Sequence, residues 1–150
     1  MSPSFSSPRI SSLLVAVVAA LALAACASAP SSSSAQGGSE LAGTAWVAER
    51  VGGLHMQNYQ PPTLNFGDGQ VSGELTCNSY SGRYDVYGER GINVRGLVYP
   101  RGACADTTSQ SRQQYFIDIL AGASTYRLTE DGKLELSTHD HRSATFRPAG

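Results

Sequence analysis

From Thr44 onward the chain consists mainly of short runs in which apolar and polar side chains alternate, separated by glycine-containing turns. Successive side chains of a β-strand point to opposite faces, so this alternation predicts strands with one buried face. We therefore expect a mainly β domain of antiparallel strands joined by tight turns.

The first predicted hairpin turns at Asp68-Gly69. A two-residue loop there pairs Phe66 with Val71 and Leu64 with Gly73. All four positions then lie on one face, so the turn and the hydrophobic pattern agree.

The second predicted hairpin turns near Gly132, and the hydrophobic pattern selects its loop length. A two-residue loop would oppose Leu128 to Glu135 and direct a charge into the core. A three-residue loop over residues 130–132, with Gly132 in a left-handed bulge position, avoids this conflict. The predicted pairs are Leu128 with Leu134, Tyr126 with Leu136 and, on the outer face, Arg127 with Glu135.

One segment, Gln110 to Ala121, has the spacing of a helix with one apolar face. Asp106 or Thr108 is the predicted N-cap, and Gly122 ends the helix. A curved antiparallel sheet wrapped on this helix is the expected architecture, and a last strand over residues 143–147 completes it. The predicted apolar face comprises Tyr115, Phe116, Ile119, Leu120 and Ala123, and the last strand directs Ala144 and Phe146 inward.

The N-terminal segment has one charge, Arg9, followed by an apolar run too short to span a membrane as a mature helix. Leu23-Ala24-Ala25-Cys26 resembles the lipobox of bacterial lipoproteins. We therefore predict a lipoprotein signal peptide over residues 1–25 and a lipidated Cys26. The alternative is an ordinary signal peptide cleaved near Ala29.

Residues 26–39 contain no charge and no large side chain after the cysteine, so they are predicted to form a flexible tether. The folded domain is expected over residues 40–150. Ala27, where enteric sorting to the inner membrane uses Asp, predicts an outer-membrane lipoprotein that faces the periplasm.

The charge balance limits the partners. Eleven basic and twelve acidic residues among 150 give a formal net charge of −1, without the basic excess that binding to nucleic acid requires. The expected membrane contact is therefore through the lipid anchor.

The central segment Gly-Glu-Leu-Thr-Cys-Asn-Ser-Tyr-Ser-Gly-Arg-Tyr from Gly73, together with Arg-Gly-Ala-Cys ending at Cys104, resembles the META domain of the heat-inducible HslJ lipoproteins. Thr76 and Gly102 depart from the family pattern. The resemblance implies a small, open, antiparallel β-barrel-like sheet with one packed α-helix, and it implies no catalytic residue. The matching residues are Gly43, Thr44, Trp46, Cys77, Asn78, Tyr80, Gly82, Tyr84, Ala103 and Cys104.

Once Cys26 is lipidated, Cys77 and Cys104 remain as a pair in a compartment that oxidises thiols. We predict a structural disulfide between them. A redox-active pair is the alternative, but the C-x-x-C spacing typical of such sites is absent from the sequence.

Four residues are candidates for ligand binding: Trp46, Asn78, Tyr80 and Tyr84. In one interpretation Asn78 forms part of a turn and the aromatic residues pack in the core. The other places them at the mouth of the barrel, where polar tips orient a ligand over an apolar interior. His139-Asp140-His141 lacks further ligands in sequence, so no metal site is predicted.

Two functions remain compatible with the sequence. The first is a noncatalytic envelope lipoprotein, without a cofactor, that supports envelope integrity or the stress response and binds an apolar ligand or a segment of an envelope protein. The alternative is a periplasmic protein-binding or protease-inhibitor module that acts through the loop at residues 52–62. A cavity beside Trp46 and Tyr80 favours the first function, whereas a sealed core with an apolar loop favours the second.

Replacing Cys26 tests the predicted anchor. We expect Cys26→Ala to abolish acylation and to leave precursor or soluble product, because the sulfur atom of the thiol accepts the lipid. Metabolic labelling with a palmitate analogue measures this. Equal label in the variant and the parent would contradict the lipobox assignment.

Overall fold

The computed structural model describes residues 40–100 and 104–150. The predicted signal peptide, Cys26 and the tether lie outside the described residues. No helix within the two described ranges is long and apolar enough to cross a membrane. The elements are β1 (Ala45–Val51), β2 (Leu54–His55), a short 3-10 helix (Met56–Asn58), β3 (Thr63–Phe66), β4 (Gln70–Glu74), β5 (Ser79–Tyr87), β6 (Gly91–Val98), α1 (Thr107–Ala121), β7 (Ala123–Leu128), β8 (Leu134–Thr138) and β9 (Ser143–Pro148).

The strands form one antiparallel sheet that closes on itself. From β3 to β9 each strand pairs with the next one along the chain, and β3 also pairs with β1. The two-residue β2 pairs with the end of β1 and is not part of the ring. The last strand, β9, returns to β1 and pairs with it from Trp46–Pro148 to Val51–Ala144. Eight of the nine strands therefore form a closed barrel, and the expectation of an open sheet was wrong. The hydrophobic pattern predicts that β9 has a buried face, but it does not specify which strand lies at its far edge.

Both predicted hairpins are confirmed in register. Phe66 pairs with Val71, and Gly69 in the turn has a φ of 67°. In the second hairpin Leu128 pairs with Leu134, Tyr126 with Leu136 and Arg127 with Glu135, and Arg127 and Glu135 form an outward ion pair.

One detail of the second hairpin differs from the prediction. Leu134 is fully buried, but its partner Leu128 is 40% exposed. Leu128 is the last residue of β7, where the strand leaves the barrel wall for the turn, so the pairing is correct but Leu128 does not reach the core.

The helix begins three residues earlier than predicted, at Thr107, and its N-cap is Asp106. The Asp106 carboxylate accepts a hydrogen bond of 2.8 Å from the Ser109 amide, and this bond lowers the pKa of Asp106. The helix ends at Gly122 as predicted. Ala123 was wrongly placed on the apolar face of the helix, because it is the first residue of β7.

The core lies inside the barrel and beneath α1, which covers one end. The helix follows β6 in the chain. Because neighbouring strands are antiparallel, the connections after β1, β4 and β8 lie at the same end of the barrel as α1. The Phe116 ring packs edge-on against Tyr80 and Phe146, with ring centroids 5.9 and 6.2 Å away. Ala144 and Phe146 are both buried, as predicted for the last strand.

The left-handed glycine of the second hairpin provides a test of the fold. Gly132 has a φ of 74°, and no heavy atom lies within 4 Å of an added Cβ, so substitution there acts through backbone strain alone. We expect Gly132→Val to destabilise the domain by about 1–2 kcal/mol or more, because a β-branched side chain disfavours this conformation. The melting temperature should fall by roughly 5–10 °C.

Lys133→Val is the matched control. Lys133 is not among the residues with a positive φ, and its half-exposed side chain forms ion pairs with Glu49 and Asp131. Its replacement should shift the melting temperature much less. Equal melting temperatures for the two variants would contradict the assigned turn.

Candidate functional site

Three of the four candidate ligand-binding residues are buried, and their polar atoms bond to the chain itself. Trp46 Nε1 donates to Thr44 Oγ1 over 2.7 Å. The Tyr80 hydroxyl donates to the Thr63 carbonyl over 2.8 Å, and the Tyr84 hydroxyl to the Gly67 carbonyl over 3.0 Å. Burial raises the pKa of both phenols, so they remain neutral donors.

These side chains do not converge on one opening. The carbonyl that Tyr80 binds belongs to Thr63, the first residue of β3, whereas Tyr84 binds the residue directly after β3. The two hydroxyls therefore lie toward opposite ends of the barrel. The cavities around the loop at residues 52–62 and on the outer side of β4, β5 and β6 are lined by other residues.

Tyr80 has a clear packing role. It pairs with Gly73 on β4, where an added Cβ would lie 2.9 Å from the Tyr80 ring and 2.0 Å from the Thr63 carbonyl oxygen. Glycine is therefore required at residue 73 for the ring to lie across β4 and for its hydroxyl to reach β3.

The cysteines lie where α1 meets the connection between β4 and β5. Cys77 and Cys104 form a pair at disulfide-bonding distance, with Cα atoms 5.4 Å apart. Such a link between residues 27 apart in sequence stabilises a fold by roughly 3–4 kcal/mol in the chain-entropy model. The pair holds the start of the helical segment against the barrel end.

Asn78, the fourth candidate residue, points toward α1. Its Nδ2 donates to Gln113 Oε1 over 3.1 Å, and the same oxygen lies 3.4 Å from Cys77 Sγ and 3.8 Å from Cys104 Sγ. Gln113 is only 4% exposed. Gln113 and Asn78 therefore form a partly buried polar contact beside the cysteine pair.

The sequence pattern did not single out Gln113. It shares a helical stripe with Phe116, Ile117 and Leu120, at spacings of three, four and seven residues. A glutamine that continues an apolar stripe is the sequence signal for a buried amide with a specific partner.

The loop at residues 52–62 lies at the same end of the barrel and is fixed at two points. Met56 is buried in the core, and the Gly52 amide donates to the Ser143 carbonyl over 2.7 Å. Gly52 has a φ of 58°, and an added Cβ would lie 2.5 Å from the Tyr115 hydroxyl oxygen. The base of the loop is therefore packed against α1.

The outer part of the loop is apolar and exposed. Leu54 is 45% exposed and Tyr59 is 41% exposed. The Arg112 guanidinium lies over the Tyr59 ring, with its carbon 3.9 Å from the ring centroid. Beneath them a crevice of about 10 Å³, bordered by Val51 and Tyr115, is barely large enough for one water molecule.

A larger groove runs on the other side of the loop, over the outer side of β1 and β9, with a volume of about 810 Å³. Lys133 Nζ lies 2.9 Å from Glu49 and 3.4 Å from Asp131, so its single positive charge is shared between the two carboxylates of the groove. Arg50 and Arg147 bring the lining to three basic and two acidic side chains. The excess charge is positive. The charged and ionisable lining residues are Glu49, Arg50, His55, Asp131, Lys133 and Arg147, and the apolar ones include Met56, Tyr59 and Pro61.

His139-Asp140-His141 forms the turn between β8 and β9. Asp140 accepts hydrogen bonds from the Thr138 hydroxyl and from Arg142 Nε, and both lower its pKa. The residues described contain no group of three or more His, Cys, Asp or Glu side chains that could hold a metal ion.

The model of the META domain family matches residues 39–150. Among solved structures, an NMR structure of a protein from Burkholderia xenovorans aligns with a TM-score of 0.59 and 19% identity, over 75% of this chain and 86% of that chain. A second NMR structure aligns with a TM-score of 0.60 and 24% identity, over 75% and 94% of the two chains. At these identities the likeness concerns the fold. No curated protein matches the chain significantly.

The amide contact beside the cysteines yields a test with an adjacent control. We expect Gln113→Leu to destabilise the domain by about 1–3 kcal/mol, because Asn78 loses its acceptor in a partly buried position. Gln114→Leu removes two exposed hydrogen bonds, one of 2.8 Å to Asp118 on the same helix and a long one of 3.5 Å from the Tyr99 hydroxyl, and should change stability by about 0.5 kcal/mol or less. Denaturant unfolding measures both. Equal destabilisation by the two substitutions would show that the hydrogen bond between Gln113 and Asn78 does not stabilise the domain.

Proposed function

The chain belongs to the META domain family, and from that membership we propose that it is a noncatalytic lipoprotein of the bacterial cell envelope, without a cofactor. It is held in the outer membrane and faces the periplasm. It supports envelope integrity or the stress response by binding a segment of another protein through the loop at residues 52–62. The exposed apolar loop beside a packed barrel interior is the observation that supports this binding site.

The packing of the barrel favours the loop over the interior as the binding site. An apolar ligand among Trp46, Tyr80 and Tyr84 would displace side chains that already fill the core and break their hydrogen bonds to the chain. Such a buried group left without a partner is destabilising by about 1–3 kcal/mol. Leu54 and Tyr59 need no rearrangement to meet a partner.

The chemistry of the loop and the groove defines the partner. Tyr59 with Arg112 provides a flat amphipathic surface, and aromatic and arginine residues dominate the energetic centres of protein interfaces. Arg50 and Arg147 provide positive charge in the adjoining groove. The partner is therefore an extended segment with an aromatic or aliphatic side chain next to an acidic one.

The predicted anchor suits this role. It would keep the domain among membrane and periplasmic proteins, where a groove for a protein segment can be used.

Site-specific photocrosslinking in intact cells tests the proposal. A photoreactive amino acid in place of Leu54 should give a discrete adduct with an envelope protein, because this side chain points outward from the loop. Adding Tyr59→Ala should reduce the adduct strongly, since loss of an interface centre weakens binding by about 2 kcal/mol, or roughly 30-fold.

Val98 provides the matched control, because it is also apolar and 70% exposed but lies on β6. The same crosslinker there should give no such adduct. Equal adducts from both positions would contradict a specific loop interface. A shift in Trp46 fluorescence on titration with fatty acids would instead support a ligand inside the barrel.

A further inference from the structure

A second surface, away from the loop, brings two arginines together on the outer side of β4, β5 and β6. Arg83 on β5 pairs with Gln70 on β4 and with Arg95 on β6, so the three side chains form one row across the sheet. Ser72 and Ser81 are paired in the neighbouring row. All five residues are exposed.

A β-bulge makes this part of the sheet concave. The register between β5 and β6 shifts between Ser81 and Arg83, and Gly96 on β6 has a φ of 61°. Gly96 is exposed, and no heavy atom lies within 4 Å of an added Cβ there, so no side chain fills this space. The result is a depression of about 380 Å³ whose lining includes Gln70, Ser72, Ser81, Arg83, Arg95 and Gly96.

The charges of the depression are not balanced. Like charges directly opposite each other on neighbouring strands are destabilising, yet Arg83 faces Arg95. Asp85 forms an ion pair with Arg95. Within residues 40–100 and 104–150, Arg83 forms no ion pair with a carboxylate, so one positive charge is left over.

We propose that this depression binds a phosphate monoester group. Guanidinium groups bind phosphate oxygens in pairs of parallel hydrogen bonds, and the serine hydroxyls and the Gln70 amide supply further donors. The volume exceeds that of a bare phosphate ion and leaves room for the attached organic group. The inference is independent of the loop and its protein partner.

The test uses the full acylated protein in a neutral detergent and calorimetric titration with glycerol 3-phosphate at low ionic strength. We expect saturable binding that glycerol does not reproduce. Arg83→Gln should weaken it about tenfold or more, because a charged hydrogen-bond donor is lost. Asp85→Asn should tighten it about threefold, because the competing carboxylate is removed.

Arg127→Gln is the control, since this exposed arginine is paired with Glu135 on β8. It should leave the affinity unchanged. Displacement by phosphatidic acid in the micelle, but not by phosphatidylcholine, would identify a lipid headgroup as the source. Equal binding of inorganic phosphate would identify a free ion. Absence of saturable binding, weakening by Arg127→Gln, or an unchanged affinity in Asp85→Asn would overturn the proposal.

Discussion

The pairing of β9 with β1 is the constraint on which the rest of the structure depends. It converts a meander with two free edges into a ring, and the interior of an eight-stranded ring has room for packed side chains or for one small ligand. Phe66, Tyr126 and Phe146 are fully buried there, and Phe116 from α1 covers one end. Since the interior is occupied by the protein itself, recognition is left to the outer surface and the connections.

The two candidate surfaces illustrate two ways in which a closed sheet acquires binding features. The loop at residues 52–62 is an insertion between β1 and β3 that packs through Met56 but leaves Leu54 and Tyr59 outside. The proposed phosphate site lies within the sheet, where Gly96 at the bulge carries no side chain. Neither changes the hydrogen bonds that close the ring.

The local parts of this fold could be predicted from the sequence, because they depend on neighbours. The loop length at Gly132 followed from the requirement that Leu134, and not Glu135, oppose Leu128, and the helix end followed from Gly122. Closure could not be predicted, since it depends on a contact between residues about 100 positions apart. The sequence also could not distinguish a Tyr80 that lines a ligand site from one whose hydroxyl binds Thr63, because both place an aromatic ring beside the core.

The adjacency of the first and last strands has a further consequence. The Ala149 amide donates to the Ala45 carbonyl over 2.9 Å, so the two ends of the barrel segment meet side by side. A short peptide linker would suffice to join them, and the chain order would become a cycle in which every strand is followed by a spatial neighbour. Such a ring has no obligatory first strand. Circularly permuted chains opened at an exposed turn are therefore expected to retain the same set of strand pairs. The position of the chain ends would then decide where the domain is attached, but not how its strands are arranged.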